Sequence, residues 1–248
     1  MFVSKEHLNY NLGVDPEIAA FFVNRKVPVN NSYWKGRLLY VSRGTGYIFI
    51  PLFFDLQYKC GVSREEVLSE EYVQVMEKIL HSAALHEFEL ISFNEHIDNC
   101  KEILNNKVNN EQLYVDLLEY FKNEDLVPFK NLGTTSKALN RGDTFLFSLC
   151  YPRFSKQLTD KIVREWYALV PSFLLMDDIM DLKEDQEKNQ ENSIADFGNG
   201  NLGVQLAIEF LRKKFAELKR VNDKLGLYFE SSLERKLQTP YLQSILNN

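Results

Sequence analysis

Apolar residues spaced three and four apart, in segment after segment, limit what this chain can fold into. In "SREEVLSEEYVQVMEKILHSAALHEFELISFNEHI" (63–97) they recur at helical intervals behind Ser63 and Glu66, the pattern of a capping box. "DPEIAAFFVNRKV" opens on Asp15-Pro16, an N-cap followed by proline at the first helical position. "NEQLYVDLLEYF", "SKALNRGDTFLFSLCY", "TDKIVREWYALVPSFLLMDDIMDLKED", "GVQLAIEFLRKKFAELKRVNDKLG" and "LYFESSLERKLQTPYLQSIL" read as further helices. "GRLLYVSRGTGYIFIPLFFDLQYKCG" suits helix or strand by composition. Without turn-bounded alternation it is assigned to helix, broken near Gly44–Gly46 and at Pro51. Glycine and proline are sparse, 11 and 7 in 248 residues, and no linker or repeat divides the chain. The expectation is an all-α fold of about eight helices, a single antiparallel bundle over residues 1–248.

With 45% hydrophobic residues such a bundle can bury a large core. A net charge of −6 on a mixed-sign surface argues against nucleic acid as a partner. The three cysteines, Cys60, Cys100 and Cys150, lie far apart with no CxxC spacing, which points to a reducing compartment rather than to disulfides or zinc. The first residues lack the apolar core of a signal peptide, and the longest apolar run, "YIFIPLFF", is too short to span a bilayer. A soluble, cytoplasmic protein with no transmembrane segment is expected.

"LLMDDIMDLKEDQEKNQ" (174–190) departs from this ordinary pattern. Asp177, Asp178, Asp181, Glu184 and Asp185 follow directly on an apolar run. At roughly 100° per residue, with Asp177 at about 0°, Glu184 lies near −20°, Asp181 near 40°, Asp185 near 80° and Asp178 near 100°. All five fall on an arc of about 120°, and Lys183, near 240°, points away. Like charges one turn apart disfavour a helix by roughly 0.2–0.5 kcal/mol per pair, and the block lies toward the end where the helix dipole repels anions. A bound cation would offset both effects, and oxygen donors without His or Cys suit Mg²⁺ before Ca²⁺. A plain solvated helix face is the alternative reading. Above the carboxylates, Val170, Phe173 and Leu174 continue the stripe, as a binding surface for an apolar tail or as core.

"SFLLMDDIMDLKED" resembles the second aspartate-rich motif of trans-prenyl diphosphate synthases, in the class I isoprenoid (terpenoid) synthase superfamily; Asp177, Asp178 and Asp181 match its DDxxD. "WKGRLLYV" resembles the family's early basic segment, with Lys35 and Arg37 at the matching positions, and "TTSKAL" the segment whose lysine, here Lys137, contacts the allylic diphosphate. "EKILHSAALHEFE" resembles the helix of the first aspartate-rich motif. Where its DDxxD should stand, however, this chain reads "HEFELISFNEHID", with Glu87 and Glu89 the nearby carboxylates and Asp98 well downstream. "DIMDLKED" is also similar to the DxxED motif of squalene and phytoene synthases (Asp181, Glu184, Asp185).

The resemblance implies an isoprenoid synthase fold that often dimerises, so a homodimer is expected. It also implies Mg²⁺ held by Asp177, Asp178, Asp181 and Asp185, with Glu184 in support. Lys35, Arg37 and Lys137 would bind a prenyl diphosphate, which would undergo ionisation followed by condensation or cyclisation, as in a prenyltransferase or terpene synthase. The altered first motif leaves two alternatives open: a non-catalytic binding or partner subunit of the same fold, and an unrelated helical interaction protein. His81 and His86, five residues apart on one helix, are poorly spaced for a metal. "RGD" at 141–143 is not read as an adhesion motif, and the polar stretch 186–201 suits a lid, with Lys188 adding charge, as well as a solvated loop.

Overall fold

The computed structural model describes residues 4–26, 28–31, 48–122, 125–198 and 200–247. Helices are the regular elements among them, with no strand and only an isolated bridge between Phe129 and Leu132. The all-α helical bundle expected from the periodicity is the observed architecture. Among the described residues, no helix is long and apolar enough to cross a membrane.

After a π-helical turn at His7–Asn11, α1 (Pro16–Asn24) starts where expected. The Asp15 side chain accepts from the N–H groups of Glu17 at 3.0 Å and Ile18 at 3.3 Å, and Pro16 fills the first turn. α2 (Phe49–Cys60) begins before Pro51 and runs through it, against the break expected there. Proline in a first turn removes only an N–H with no helical partner, so nothing forces a break. Gly61, at φ 118°, ends α2 in the left-handed region.

The long periodic segment 63–97 divides into three helices. Ser63 caps α3 (Arg64–Val67), Ser69 caps α4 (Glu70–Glu87), and Ser92 opens α5 (Phe93–Ile103) in a reciprocal capping box with Glu95. Apolar periodicity alone did not reveal the breaks before Glu70 and Phe93, which the Ser69 and Ser92 caps mark. α6 (Glu111–Tyr120) follows.

"SKALNRGDTFLFSLCY", expected as an amphipathic helix, forms two 3₁₀ stretches at Lys137–Asn140 and Asp143–Cys150. All eight residues of the second stretch are buried, so it has no solvent face. It packs against α4 and α6. α7 (Lys156–Lys188) is the longest element at 33 residues and lies against α2 and α8. It carries Pro171 in its interior, and the Ser172 hydroxyl donates to the Ala168 carbonyl at 2.6 Å in the same stretch. A 3₁₀ turn at Ser193–Phe197, α8 (Gly200–Val221), α9 (Asp223–Leu237) and α10 (Pro240–Leu246) complete the chain.

The core is strongly aromatic. Phe145 stacks on Trp166 with ring centroids 5.2 Å apart, and Phe53 meets Trp166 edge-on at 5.0 Å. A polar knot joins distant parts of the chain. Asp55, fully buried on α2, accepts from the Asp15 N–H at 2.7 Å and the Lys59 ammonium at 2.8 Å. The Asn222 amide at the α8–α9 junction reaches Asp55 at 3.3 Å and the Leu12 carbonyl at 2.9 Å.

Candidate functional site

The acidic segment is the C-terminal part of α7, and its five carboxylates do not share one environment. Asp177, Asp181 and Glu184 are exposed, Asp185 is half-buried and Asp178 is buried. This order follows the helical angles. The side of the arc from −20° to 40° faces solvent, and the side from about 80° to 100° turns toward the 3₁₀ turn at 193–197.

That turn lies over the helix as a strap. The Ser193 N–H donates to one oxygen of Asp178 at 3.0 Å, and the Ser193 hydroxyl donates to the same oxygen. The Asn192 amide bridges the Asp178 backbone carbonyl and the Asp185 carboxylate, both at 2.7 Å. At the strap's far end Asp196 accepts from the buried Ser136 hydroxyl at 2.6 Å, just before Lys137. Gly198 (φ 127°) and Gly203 make the strap's return possible: a Cβ on Gly203 would stand 2.1 Å from the Gly198 carbonyl oxygen. The Asp178 oxygen not used by Ser193 faces the Arg141 guanidinium at 3.5 Å.

Arg141 follows the first 3₁₀ stretch, and its neighbours in the chain are firmly held. Asn140, buried, accepts from the Thr134 N–H at 2.7 Å and donates to the Thr134 carbonyl at 3.0 Å. Asp143, also buried, accepts from the Trp166 indole N–H and the Tyr120 and Tyr167 hydroxyls, each at 2.8 Å. Burial pushes its carboxyl up to about 7 against those three donors. Tyr167 in turn accepts from the Gly133 N–H at 2.6 Å, which ties the 129–134 loop to α7.

Lys137 lies near Asp125 at 4.0 Å and is largely exposed. Lys188 pairs with Glu184 one turn before it, which holds the Glu184 carboxyl below its ordinary range. Lys35 and Arg37 lie outside the described residues. Glu87, the last residue of α4, and Glu89, in the turn after it at φ 57°, are exposed. α4 packs chiefly on α5 and the 143–150 stretch, whereas α7 packs chiefly on α8, α2 and the strap. Asp98 pairs with Lys101 on the surface. Of the upstream stripe, Val170 is buried and the Phe173 ring meets Phe229 of α9 edge-on with centroids 5.0 Å apart. At those positions the stripe is core.

Among the described residues no three His, Cys, Asp or Glu side chains converge closely enough to hold a metal by themselves. Mg²⁺ does not require such a cage, since one or two carboxylates, waters and substrate phosphate oxygens commonly complete its shell. Asp177 and Asp181, exposed one turn apart on α7, have the donor chemistry for that role. Arg141, Asn192 and Ser193 were not among the site residues read from the sequence. Arg141 stood in "RGD" with nothing to connect it to an aspartate 37 positions on, and Asn192 and Ser193 stood in a stretch that suits any solvated loop. No protein-family model, curated protein or solved structure matches this chain.

Proposed function

We propose that this protein binds a prenyl diphosphate together with Mg²⁺ on the exposed face of α7 and acts on it as an isoprenoid-synthesis enzyme. The observation that carries the reading is the division of labour among the carboxylates. Asp178 and Asp185 engage the strap, whereas Asp177 and Asp181 are exposed one turn apart on the same helix, whose Asp178 the cation Arg141 approaches at 3.5 Å. Asp177 and Asp181 would hold the ion, with Asp178 and Asp185 buttressing that end of the helix. Bound there, Mg²⁺ supplies neutralisation of the diphosphate's charge.

In this reading the allylic carbon–oxygen bond breaks with its electron pair leaving on the diphosphate. The resulting cation is then captured by condensation or cyclisation. Arg141 and Lys137 would offer positive charge to the departing anion, and the resemblance assigns the same task to Lys35 and Arg37. The reading also carries a cytoplasmic location, from three unpaired cysteines, and a homodimer, from the resemblance.

The test is incubation of the purified protein with Mg²⁺ and geranyl, farnesyl or geranylgeranyl diphosphate, with pyrophosphate release as the readout. Release is expected, and Asp181→Ala is expected to abolish it. Undiminished release by that variant would remove Asp181 from the reaction.

A second reading, a non-catalytic binding subunit, is favoured by the placement of Glu87 and Glu89. They are exposed at the end of a helix that packs chiefly on α5 and the 143–150 stretch, so a second acidic cluster facing α7 has no support in that packing. It predicts Mg²⁺-linked diphosphate binding in calorimetry with no pyrophosphate released.

A further inference from the structure

α8 buries one side and leaves open a stripe with a regular chemistry. Leu202, Leu206, Glu209, Lys213, Ala216 and Arg220 are all exposed, at intervals that alternate four and three. That alternation is the spacing of a helix-pairing seam, and it keeps the six residues on one narrow line along α8. Leu202 is 61% exposed and Leu206 40%. Two exposed leucines by themselves need no explanation.

The charged residues of α8 divide along the same line. Off the stripe, Arg212 pairs with Glu234 of α9 at 2.9 Å, Lys214 with Glu217 at 2.9 Å and Lys219 with Glu230 of α9 at 3.2 Å. On the stripe, Glu209, Lys213 and Arg220 make no ion pair among the described residues. Glu209 and Lys213 stay apart although they stand one turn from each other with opposite signs.

The order of residues along the stripe is self-complementary. Let a second copy of α8 run antiparallel, with the two-fold axis at the level of Leu211. Glu209 then stands opposite Lys213 of the other copy, Leu206 opposite its Ala216 and Leu202 opposite its Arg220, each pair occurring twice. Glu209 and Lys213 gain the partners they lack, and the small Ala216 leaves room for Leu206. The Arg220 stem covers Leu202 while its head reaches water. On one flank of the axis the half-buried Phe210 rings of the two copies approach each other. On the other flank Arg212 meets its counterpart, each charge offset by its own Glu234. A parallel pair in register would instead set Lys213 on Lys213 and Arg220 on Arg220.

We propose that the exposed face of α8 is a docking surface for a second copy of this chain, with the two helices antiparallel and Glu209 paired to Lys213 across the axis. The pairing rests on the six stripe residues and not on the isoprenoid reading. From Leu202 to Arg220 the stripe is about 27 Å long, so the buried area lies at the low end for specific interfaces and the dimer is a concentration-dependent one.

Sedimentation velocity of the full chain over a concentration series tests it, on wild type, Glu209→Lys, Lys213→Glu and the double reversal. Circular dichroism checks that each variant is folded. Wild type is expected to dimerise in the micromolar range and to dissociate as salt is raised. Each single reversal sets like charges across the axis twice and should weaken the dimer by roughly tenfold or more. The double reversal restores both pairs and should return the affinity to within about threefold of wild type.

A wild type that stays monomeric up to about 100 µM at low salt overturns the proposal. So does a dimer that survives both single reversals. Loss in the single variants without recovery in the double overturns the antiparallel register. Pyrophosphate release is a separate readout. A monomeric protein that releases it removes the pairing alone, and a dimer that depends on α8 but releases none removes the enzymatic reading alone.

Discussion

Ser193 holds Asp178 through two donors aimed at one carboxylate oxygen, its backbone N–H at 3.0 Å and its hydroxyl. The residues lie 15 apart in sequence, and the bond closes the strap over the acidic end of α7. Adjacent aspartates on one helix thereby take opposite roles. Asp178 belongs to the architecture, and Asp177 belongs to the surface.

Stability and activity should separate along that line. Asp178→Ala leaves the buried Ser193 hydroxyl and amide without an acceptor and should destabilise the fold by about 1–3 kcal/mol, read from the urea midpoint. Asp181→Ala removes two like-charge pairs one turn apart, with Asp177 and Asp185, and should leave stability unchanged or raise it by about 0.2–0.5 kcal/mol per pair. Equal losses of stability in the two variants would contradict this division.

The strap's return depends on the missing side chain of Gly203. In Gly203→Ala the new methyl meets backbone rather than a flexible side chain, with the Gly198 carbonyl oxygen at 2.1 Å, so the strap or the start of α8 must shift. A loss of about 1–3 kcal/mol is expected by thermal or urea denaturation. Mg²⁺-linked pyrophosphate binding should weaken with it, because the strap orients Asp178 and Asp185. A fully stable variant would show that the approach is easily relaxed.

Stability should fall as pH rises toward neutrality. Burial holds Asp143 up to about 7, and burial with the nearby Glu217 carboxylate does the same for Glu165. In the unfolded chain both would lose their protons near 4. Between roughly pH 4 and 7 the folded state therefore keeps protons that the unfolded state has released, and stability declines with pH across that window. His96, pushed down to about 4 by burial and by His86, acts oppositely from about 4 to 6.5, because only the unfolded state is protonated there. Burial also lowers His7, which acts with His96, and raises Asp55 and Glu66, which act with Asp143 and Glu165. The raised carboxyls outnumber the lowered imidazoles, so a net decline remains, fading above 7. Urea midpoints measured from pH 5 to 8 should show it, and Asp143→Asn should flatten it. A midpoint that climbs through this range would refute the assignment.

The cysteines should be inert in the native protein. All three are buried, and burial pushes the Cys60 and Cys100 thiols up to about 12 and raises Cys150 as well. Maleimide at pH 7.5 should modify none of them in the native state and all three in urea, counted by intact mass. Prompt native labelling of Cys60 would mean that the α2 terminus opens readily.

Local chemistry made much of this fold legible. Asp15-Pro16, the serine caps and the apolar periodicity act within a turn or two, so the sequence displays them directly. Tertiary contacts decided what it hid. Helical angles placed five carboxylates on one arc, but only Ser193 and Asn192, arriving from beyond the helix end, determine which of them face inward. The 3₁₀ form of Asp143–Cys150 likewise follows from burial between α4 and α6, not from its own composition. Arg141 shows the limit most plainly, since its relation to Asp178 exists only once the bundle has assembled.

The knot at Asn222 bears on how the chain comes to be folded at all. Its amide joins Leu12 across 210 residues and Asp55 across 167. During synthesis the buried Asp55 must wait for one of its donors until the 167 residues after it have emerged. Contacts of such long range slow folding, because loop closure must precede any gain from them. Nascent helices α1 and α2 would therefore remain open to proteases and chaperones until α8 and α9 arrive to seal them.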